Sequence, residues 1–422
     1  MPARILPNIA NLEKYIMGYR NLVTKPQYNH LKKVIPAIAE GVSCFASLAR
    51  RTGTPERTWW HLFHESFFDE NKLLAQSAKV MDNHTPTRST SSSFVILDFT
   101  STFKTGEHFE WSDWLWNEDT DLPDKKGHEQ VLALEYNPDK DYRKCLGIRR
   151  FYHEDALLKT EYWRDDFEKK PICASRLLTQ VKPLTKAKEV LVDGEFINAT
   201  LVRRFEQKEF SWTGRIKKSL KATYQGRTAQ LQELLSMLKK DHRWENVSYL
   251  NEGIQAFAVK VKISSLKNRT VQVAVCKNKS GNIAFIGTSN LSRTVKDICK
   301  IYGYRWEIEV FFKDIKGNLS FGDYRMRSVA ANYRWQVFTL ITANLLELVR
   351  KTKVERMMGV YVWFAQAVNK LYSTVRITLG MTIDVICDLR NGGKELILAL
   401  KSILALNRAK YYLYNGVNLA RL

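Results

Sequence analysis

The spacing of apolar residues divides the chain into a helical first part, a middle part rich in strands and a helical last part. Over residues 1–81, apolar side chains recur every three or four positions, which places them on one face of a helix. A polar, Ser/Thr-rich stretch at 82–93 predicts a linker. After it, short apolar runs bounded by polar residues predict strands, and helical spacing returns towards the C-terminus.

Apolar runs in the middle part predict an α/β layer. The predicted strands are residues 94–97, 131–134, 146–152 and 189–192. A helix is predicted to begin at Pro171, because proline is tolerated where the helical N–H has no partner within the helix. Strands alternating with a helix are typical of an α/β arrangement. The first and last of these strands end in Asp98 and Asp193, where we expect the side chains to leave the core and meet solvent.

Residues 210–290 have the alternation of antiparallel, partly exposed strands. Apolar and polar residues alternate at 256–261 and 271–275, and a turn leads into a further apolar run at 283–286. This region therefore predicts a β insertion between Asp193 and the helix that follows it.

A helix, a short turn and a second helix are predicted within the first part. Residues 42–51 are helical in pattern, Gly53 and Pro55 mark the turn, and the second helix opens with Glu56 and Arg57. This succession resembles a helix-turn-helix DNA-binding motif. A plain helical packing domain gives the same pattern, so both interpretations stay open.

The charge balance indicates a polyanionic partner. The 422 residues include 66 Lys and Arg against 44 Asp and Glu, a net charge of +22, while 45% hydrophobic and 12% aromatic residues are enough to build folded cores. Such a surplus repels itself in a compact protein, and binding to a polyanion is the usual reason for it. Nucleic acid is the first expectation and an anionic membrane surface the second.

Several classes of protein lack support because their patterns are missing. The longest apolar stretch, 335–349, contains Glu347 and is shorter than the ~20 residues that span a bilayer, and no signal-peptide core follows Met1. The six cysteines form no C-x-x-C pair, which disfavours a zinc knuckle or a disulfide scaffold. Walker, G-x-G-x-x-G and G-x-S-x-G loops are also absent. We expect a reduced, cytoplasmic protein that has no membrane partner and binds nucleic acid.

Residues 302–316 form the most informative segment. On one helix at 100° per residue, four polar side chains fall within an arc of roughly 60°. They are Tyr302, Arg305, Glu309 and Lys316. The apolar side chains that predict a core face on this helix are Tyr304, Ile308, Phe311 and Ile315. Glu307 lies off the polar stripe. An amphipathic helix with a weak Arg305–Glu309 pair explains this pattern by itself.

The two strand-end aspartates favour chemistry over that simple explanation. If their strands are neighbours, ~4.8 Å apart, the carboxylates of Asp98 and Asp193 can share a cation. With Glu309 they form a candidate triad for Mg²⁺, a hard ion that prefers oxygen ligands. Two such ions supply the nucleophile, the electrophile and the leaving-group stabilisation that phosphodiester hydrolysis needs. Arg305 and Lys316 would then hold neighbouring phosphates.

The spacing Tyr302-x2-Arg305-x3-Glu309-x6-Lys316 resembles the Y-R-E-K signature of bacterial cut-and-paste insertion-sequence transposases. That family belongs to the DDE superfamily and has an RNase H-like catalytic core. The order of Asp98, Asp193 and the signature helix also fits, and the resemblance covers roughly residues 90–345. Many members carry a second acid after the first aspartate, where this chain has Phe99, so the subgroup stays open.

The resemblance implies a role for each matching residue. The implied catalytic residues and metal ligands are Asp98, Asp193 and Glu309, with Mg²⁺ as the cofactor and Mn²⁺ as a substitute. The residues implied to contact DNA phosphates are Tyr302, Arg305 and Lys316. The further basic residues that we expect on DNA are Arg57, Arg215, Lys217, Lys218 and Lys313.

Together these observations predict a DNA transposase with an α-helical DNA-binding domain, an RNase H-like α/β core interrupted by a β insertion, and a helical C-terminal region. The predicted boundaries are 1–81, a linker at 82–93, a core at 94–345 with its insertion at about 210–290, and 346–422. The family implies cleavage of double-stranded DNA at the terminal inverted repeats, joining of the 3′-OH to target DNA, a homodimer on paired ends and a place at the bacterial nucleoid. The alternatives are a structure-selective nuclease that does not join DNA and a catalytically inactive DNA-binding descendant.

Overall fold

The computed structural model describes residues 9–104, 108–117, 122–152, 168–250 and 252–354, so most of the predicted C-terminal region lies outside the described residues. The chain forms two compact units: Met1–Arg88 with Asp314–Leu422, and Ser89–Lys313. The division into functional domains stays a prediction.

The bounds of the helices and strands are as follows. The helices are α1 (Ile9–Ile16), α2 (Lys25–Ala39), α3 (Phe45–Thr52), α4 (Glu56–His64), α5 (Glu70–Asp82), α6 (Lys170–Val181), α7 (Ala199–Gln207), α8 (Leu231–Asp241), α9 (Val295–Gly303), α10 (Trp306–Asn318) and α11 (Val329–Val349). The strands are β1 (Phe94–Lys104), β2 (Asp113–Asn117), β3 (Leu122–Asn137), β4 (Tyr142–Phe151), β5 (Glu189–Val192), β6 (Ser211–Ile216), β7 (Lys221–Tyr224), β8 (Arg227–Gln230), β9 (Glu245–Tyr249), β10 (Glu252–Ile263), β11 (Arg269–Lys277) and β12 (Ile283–Thr288).

Helix α11 is the most deeply buried helix of the first unit. It begins after Ser328, whose hydroxyl accepts a hydrogen bond from the N–H of Ala331, and apolar residues surround its axis. It packs against α2, α4 and α5, where the amide of Asn344 donates to the hydroxyl of Ser77 at 2.7 Å. Neither α11 nor another helix in the described part of the chain combines the length and apolarity needed to cross a bilayer.

The predicted helix, turn and helix of the first unit correspond to α3 and α4. Gly53 ends α3 with φ 64°, a left-handed conformation that glycine adopts without strain. Arg57 is exposed near the start of α4. The three elements are therefore present, and their role in DNA binding stays a prediction.

The second unit is built on one mixed sheet, to which twelve strands belong within the described residues. The strand order is β2-β3-β1-β5-β6-β12-β11-β10-β7-β8, with β4 paired to β3 and β9 paired to β10. β5 runs parallel to β1 and β6, and the remaining pairs are antiparallel. A mixed sheet with helices confirms the α/β expectation.

The predicted strands are present, but β1 is longer than the sequence pattern indicated. The expectation that Asp98 ends a strand was wrong, because β1 continues to Lys104 while pairing antiparallel with β3. Only the parallel pairing with β5 stops at Leu97. Asp98 therefore lies inside a strand, at the point where β1 loses its second partner, and its side chain is only 18% exposed.

The region at 210–290 contains the antiparallel strands that the alternation predicted. It contributes β6 to β12 and helix α8, and β12 returns to lie antiparallel beside β6. The region therefore extends the same sheet away from β1 and β5.

Candidate active site

Asp98 and Asp193 lie level with each other on neighbouring strands. Leu97 of β1 and Val192 of β5 are partners in the parallel register, and each aspartate is the next residue along its strand direction. Adjacent strands are ~4.8 Å apart, so two side chains at the same level are close neighbours. The pairing of these strands was the condition on which the sequence argument for a shared cation depended.

The segment that carries the polar stripe is two helices rather than the single helix predicted. α9 ends at Gly303 and α10 begins at Trp306, and the turn between them is held by hydrogen bonds from the N–H of Tyr304 to the Ile301 carbonyl and from the N–H of Arg305 to the Tyr302 carbonyl. Tyr302 therefore belongs to a different helix from Glu309. The i→i+3 hydrogen bonds make this turn tighter than a turn of α-helix.

Arg305 lies between two of the candidate carboxylates. Its Nη1 is 3.3 Å from Oδ2 of Asp98 on β1, and its Nη2 is 2.5 Å from Oε1 of Glu309, one turn further along α10. The side chains are 15%, 18% and 33% exposed in the order Arg305, Asp98, Glu309. The Nε of Arg305 is buried and has no hydrogen-bond partner among the described residues. The guanidinium thus connects the helix to the sheet at the level of both aspartates.

The pKa of Asp98 is raised to about 7 from its usual 3.8. Burial is the largest cause, Arg305 acts in the opposite direction, and the negative charges of Asp193 and Glu309 raise the pKa further. All three candidate carboxylates therefore interact electrostatically in one place. A single arginine does not balance them.

Tyr302 is buried on the other side of Arg305. Its ring lies 6.2 Å from that of Tyr249 with an interplanar angle of 12°, and the Arg305 guanidinium is 5.7 Å from the ring centre of Tyr302. Burial raises the pKa of the Tyr302 hydroxyl. In this conformation the side chain packs within the protein, in an apolar cluster that includes Cys276 and Cys299.

Most of the other basic residues expected on DNA have exposed side chains. Arg215, Lys217 and Lys218 are exposed at the end of β6 and in the turn after it, and Lys313 is exposed on α10. Lys316 is half-buried on the last turn of α10. The division between the two units falls within α10, after Lys313, so Lys316 belongs to the first unit. Arg57 also lies in the first unit. Of the predicted bases, Arg305 is the one that contacts the candidate carboxylates in the described residues.

The three carboxylates are the kind of ligand that a hard divalent cation prefers. Two aspartates side by side and a glutamate facing them offer only oxygen ligands, and their excess negative charge raises the pKa of Asp98. In the described residues, however, no group of three or more His, Cys, Asp and Glu is already arranged to hold a metal ion. Arg305 occupies the position between Asp98 and Glu309, so a cation would bind there only as the guanidinium turns away.

Two residues that hold α10 against the sheet were not predicted from the sequence. Glu307 was set aside because it lies off the polar stripe, yet it is buried and its Oε2 is 3.3 Å from Nε of Arg143 on β4. Glu307 lies at the edge of the core face of the helix, and a glutamate at such a position indicates a buried ion pair with a basic side chain. Arg143 gave no such signal, because its position depends on the pairing of β3 with β4.

Residues 172–345 match the family model described as Transposase DDE domain. The match supports a DDE transposase, and such a domain implies an RNase H-like α/β core, which the mixed sheet with its helices fits. Asp193 and Glu309 lie within the matched region, and Asp98 precedes it. No curated protein matches the chain.

Proposed function

We propose that the protein is a DNA transposase of the cut-and-paste, insertion-sequence type with a Y-R-E-K signature. It binds the terminal inverted repeats of a bacterial insertion sequence, cleaves the DNA by metal-dependent hydrolysis and joins the freed 3′-OH ends to target DNA. The observation that carries the proposal is the interaction of Asp98 with Asp193, Glu309 and Arg305, in a chain whose residues 172–345 match a transposase DDE domain.

Asp98, Asp193 and Glu309 would hold Mg²⁺, or Mn²⁺ in its place. When bound, such ions activate a water or a 3′-hydroxyl as the nucleophile and stabilise the leaving oxygen. The protein's own contribution is to fix the three carboxylates on two strands and one helix. Because the pKa of Asp98 is raised, this side chain loses its proton as a cation arrives, which couples metal binding to proton release.

Arg305 would exchange its carboxylate partners for a DNA phosphate. Its planar guanidinium binds a phosphate through two parallel N–H groups, as it would bind a carboxylate. With Asp98 and Glu309 holding a cation, a phosphate would be the better partner for Arg305. Lys313 and Lys316 on the same helix would contact neighbouring phosphates, and Tyr302 would do so only on leaving the cluster in which it is buried.

The exposed basic residues would carry the longer DNA duplex. Arg215, Lys217 and Lys218 are accessible to a phosphate backbone, and the net charge of +22 favours binding to any DNA. In the first unit, α3 and α4 would bind the transposon ends, with Arg57 on a phosphate or a base edge. We infer a homodimer on two paired ends and a place at the nucleoid, because both DNA ends have to be cut and joined together.

The experiment that tests the function follows both cleavage and joining on DNA that carries the flanking ends of the gene. Purified protein is incubated with labelled end DNA and a supercoiled target plasmid, with Mg²⁺, with Mn²⁺ or with EDTA. Metal-dependent cleavage followed by joined products supports the transposase, and both should vanish in Asp98→Ala while end binding is retained.

Other outcomes support the alternative functions. Cleavage without joined products under all conditions indicates a nuclease that does not transfer strands. Full end binding with no cleavage in either metal indicates an inactive DNA-binding descendant. Cleavage at wild-type rate by Asp98→Ala would contradict the assignment of this aspartate.

A further inference from the structure

A row of three side chains crosses β1, β3 and β4 beneath the turn that precedes α10. Phe94 is the register partner of Tyr136, and Tyr136 is the register partner of Arg143, so the three share one face of the sheet. On that face the ring of Tyr304 lies 5.5 Å from Phe94 and 5.7 Å from Tyr136. Glu307 completes the contact through its ion pair with Arg143.

The same face carries the catalytic aspartate of β1. Side chains alternate along a strand, so Phe94 and Asp98, four residues apart, point to the same side. Tyr304 rests on Phe94, and the next residue, Arg305, contacts Asp98. The turn between α9 and α10 is thus seated at one end of a short stretch of β1, and the carboxylate site lies at the other end.

The Arg143–Glu307 pair is buried, which makes its geometry specific. The side chains of Arg143 and Glu307 are only 9% and 11% exposed. Removing one partner of a buried ion pair is costly, whereas an exposed pair contributes little. Glu307 is also flanked in sequence, two residues on each side, by Arg305 and Glu309. A rotation of the first turn of α10 that broke this pair would therefore move both site residues.

We propose that Arg143 is a positioning residue: through Glu307 it fixes the first turn of α10 so that Arg305 and Glu309 face Asp98. Arg143 touches neither DNA nor metal in this scheme and acts only through the helix. The inference rests on the proposed function for its effect on catalysis, while the placement of the helix can be measured without any reaction.

Arg149 offers a matched control on the same strand. The pairing of β3 with β4 contains a bulge: Ala133 pairs with Gly147 and Leu134 with Cys145, which leaves one β4 residue without a partner on β3. Arg143 and Arg149 lie on either side of this extra residue, so their side chains point to opposite faces of the sheet. Arg149 binds both oxygens of Glu168, at 3.1 and 2.8 Å, on the face where α6 packs against β4. Glu168 also pairs with Arg176, so Arg149→Gln removes an arginine–glutamate contact from this strand without touching α10 and leaves the glutamate with a base.

The experiment compares Arg143→Gln, Arg143→Lys and Arg149→Gln with the wild-type chain. The first readout is hydrogen exchange of the backbone amides of 306–313 in the DNA-free protein. Arg143→Gln should speed this exchange about tenfold, since it weakens the local anchoring of the helix, and Arg149→Gln should leave it unchanged. Arg143→Lys keeps the charge and should restore most of the protection.

The second readout has two parts: the rate of cleavage at the DNA ends at saturating DNA, and the dissociation constant for the end DNA. A displaced glutamate and arginine should lower the cleavage rate of Arg143→Gln about 100-fold, with DNA binding within about twofold of wild type. A general loss of folding would lower both quantities together and would also appear in Arg149→Gln.

Two results would overturn the inference. The first is equal exchange at 306–313 in Arg143→Gln and wild type, and the second is the same cleavage loss in Arg143→Gln and Arg149→Gln. If Arg143→Gln does not fold, Glu307→Gln takes its place, since it breaks the same ion pair, and exchange at 306–313 equal to wild type in that variant would also overturn the inference. Absence of cleavage by the wild-type protein would instead contradict the proposed function, and the exchange measurement would still decide the role of Arg143.

Discussion

The two ends of strand β5 hold buried charge in opposite ways. At its beginning, Glu189 is 4% exposed and is bound by both terminal nitrogens of Arg293. The hydroxyl of Thr213 on β6 donates a further hydrogen bond to Glu189 at 2.6 Å. One acid therefore meets one base, and the remaining acceptor capacity is used by a neutral group.

At the other end of β5 the charges do not balance. Asp193 follows the strand, Asp98 lies level with it on β1, and Glu309 approaches from α10, with Arg305 paired to Asp98 and Glu309. Burial, together with the negative charges of Asp193 and Glu309, raises the pKa of Asp98, and the Nε of Arg305 has no partner in the described residues. An imbalance of this kind costs stability in the absence of a ligand.

This difference distinguishes a charge pair that stabilises the fold from a group of charges that forms a candidate binding site. A balanced pair is complete without any ligand, and its loss should appear as a loss of stability. An unbalanced group of carboxylates is completed by a cation, and its loss should appear as a loss of activity. Charged residues at both ends of the same strand therefore respond to mutation in opposite ways.

Replacement of Asp193 should give the largest loss of activity. We expect Asp193→Ala to slow end cleavage at least about 1,000-fold, roughly 4 kcal/mol in transition-state energy, because a metal ligand is removed. The free energy of unfolding should stay within about 1 kcal/mol of wild type, since an unbalanced acid is removed. Single-turnover cleavage and urea denaturation measure the two effects. A strongly destabilised Asp193→Ala would place this residue with Glu189 as a structural group.

Replacement of Arg293 should give the largest loss of stability. Arg293→Ala leaves Glu189 buried without its base, so the free energy of unfolding should fall by about 3–5 kcal/mol. The double variant Glu189→Leu with Arg293→Met should recover most of that loss, because no charge stays unpaired. Denaturation in urea gives both values, and an additive double variant would show that the pair is not coupled.

Asp98 should make the stability of the metal-free protein depend on pH. Its pKa is about 7 in the folded protein and near 3.8 when unfolded, so the folded state binds the additional proton between these values. The contribution of this group to the free energy of unfolding should therefore decrease as pH rises from about 4 to about 7, by about 4 kcal/mol in all. Asp98→Asn should remove that part of the pH dependence. A wild-type curve that rises over this window, with Asp98→Asn unchanged, would contradict the unbalanced site.

The exposed bases after β6 should have the smallest effect, seen in the salt dependence of DNA binding. The double variant Lys217→Ala with Lys218→Ala should reduce the slope of log K against log salt by about 2, because each lysine that neutralises a phosphate contributes about one unit to the slope. Lys239→Ala with Lys240→Ala removes the same charge from exposed positions at the end of α8 and serves as the control. Equal slopes for the two double variants would show that only the total charge matters, and would contradict a specific phosphate contact by Lys217 and Lys218.

The sequence was sufficient to predict most of the strands and to select candidate carboxylates, but not to predict how the elements that carry them are arranged. Apolar runs predicted β5 and the strands of the insertion, because alternation and strand ends are local properties. The extension of β1 beyond Asp98 depends on a long partner strand, β3, and could not be read from β1 alone. The break before Trp306 was missed because Tyr304 and Arg305 are compatible with a helix, and tertiary contacts select the tighter turn.

The central claim is that Asp98, Asp193 and Glu309 form one metal-dependent catalytic centre. The most direct test is cleavage of DNA carrying the flanking ends of the gene, in Mg²⁺ and in EDTA, by wild type and by Glu309→Ala. We predict cuts at the ends that require Mg²⁺ and disappear in Glu309→Ala, while binding to the end DNA is retained. Metal-dependent cuts that persist in Glu309→Ala at the wild-type rate would contradict the claim.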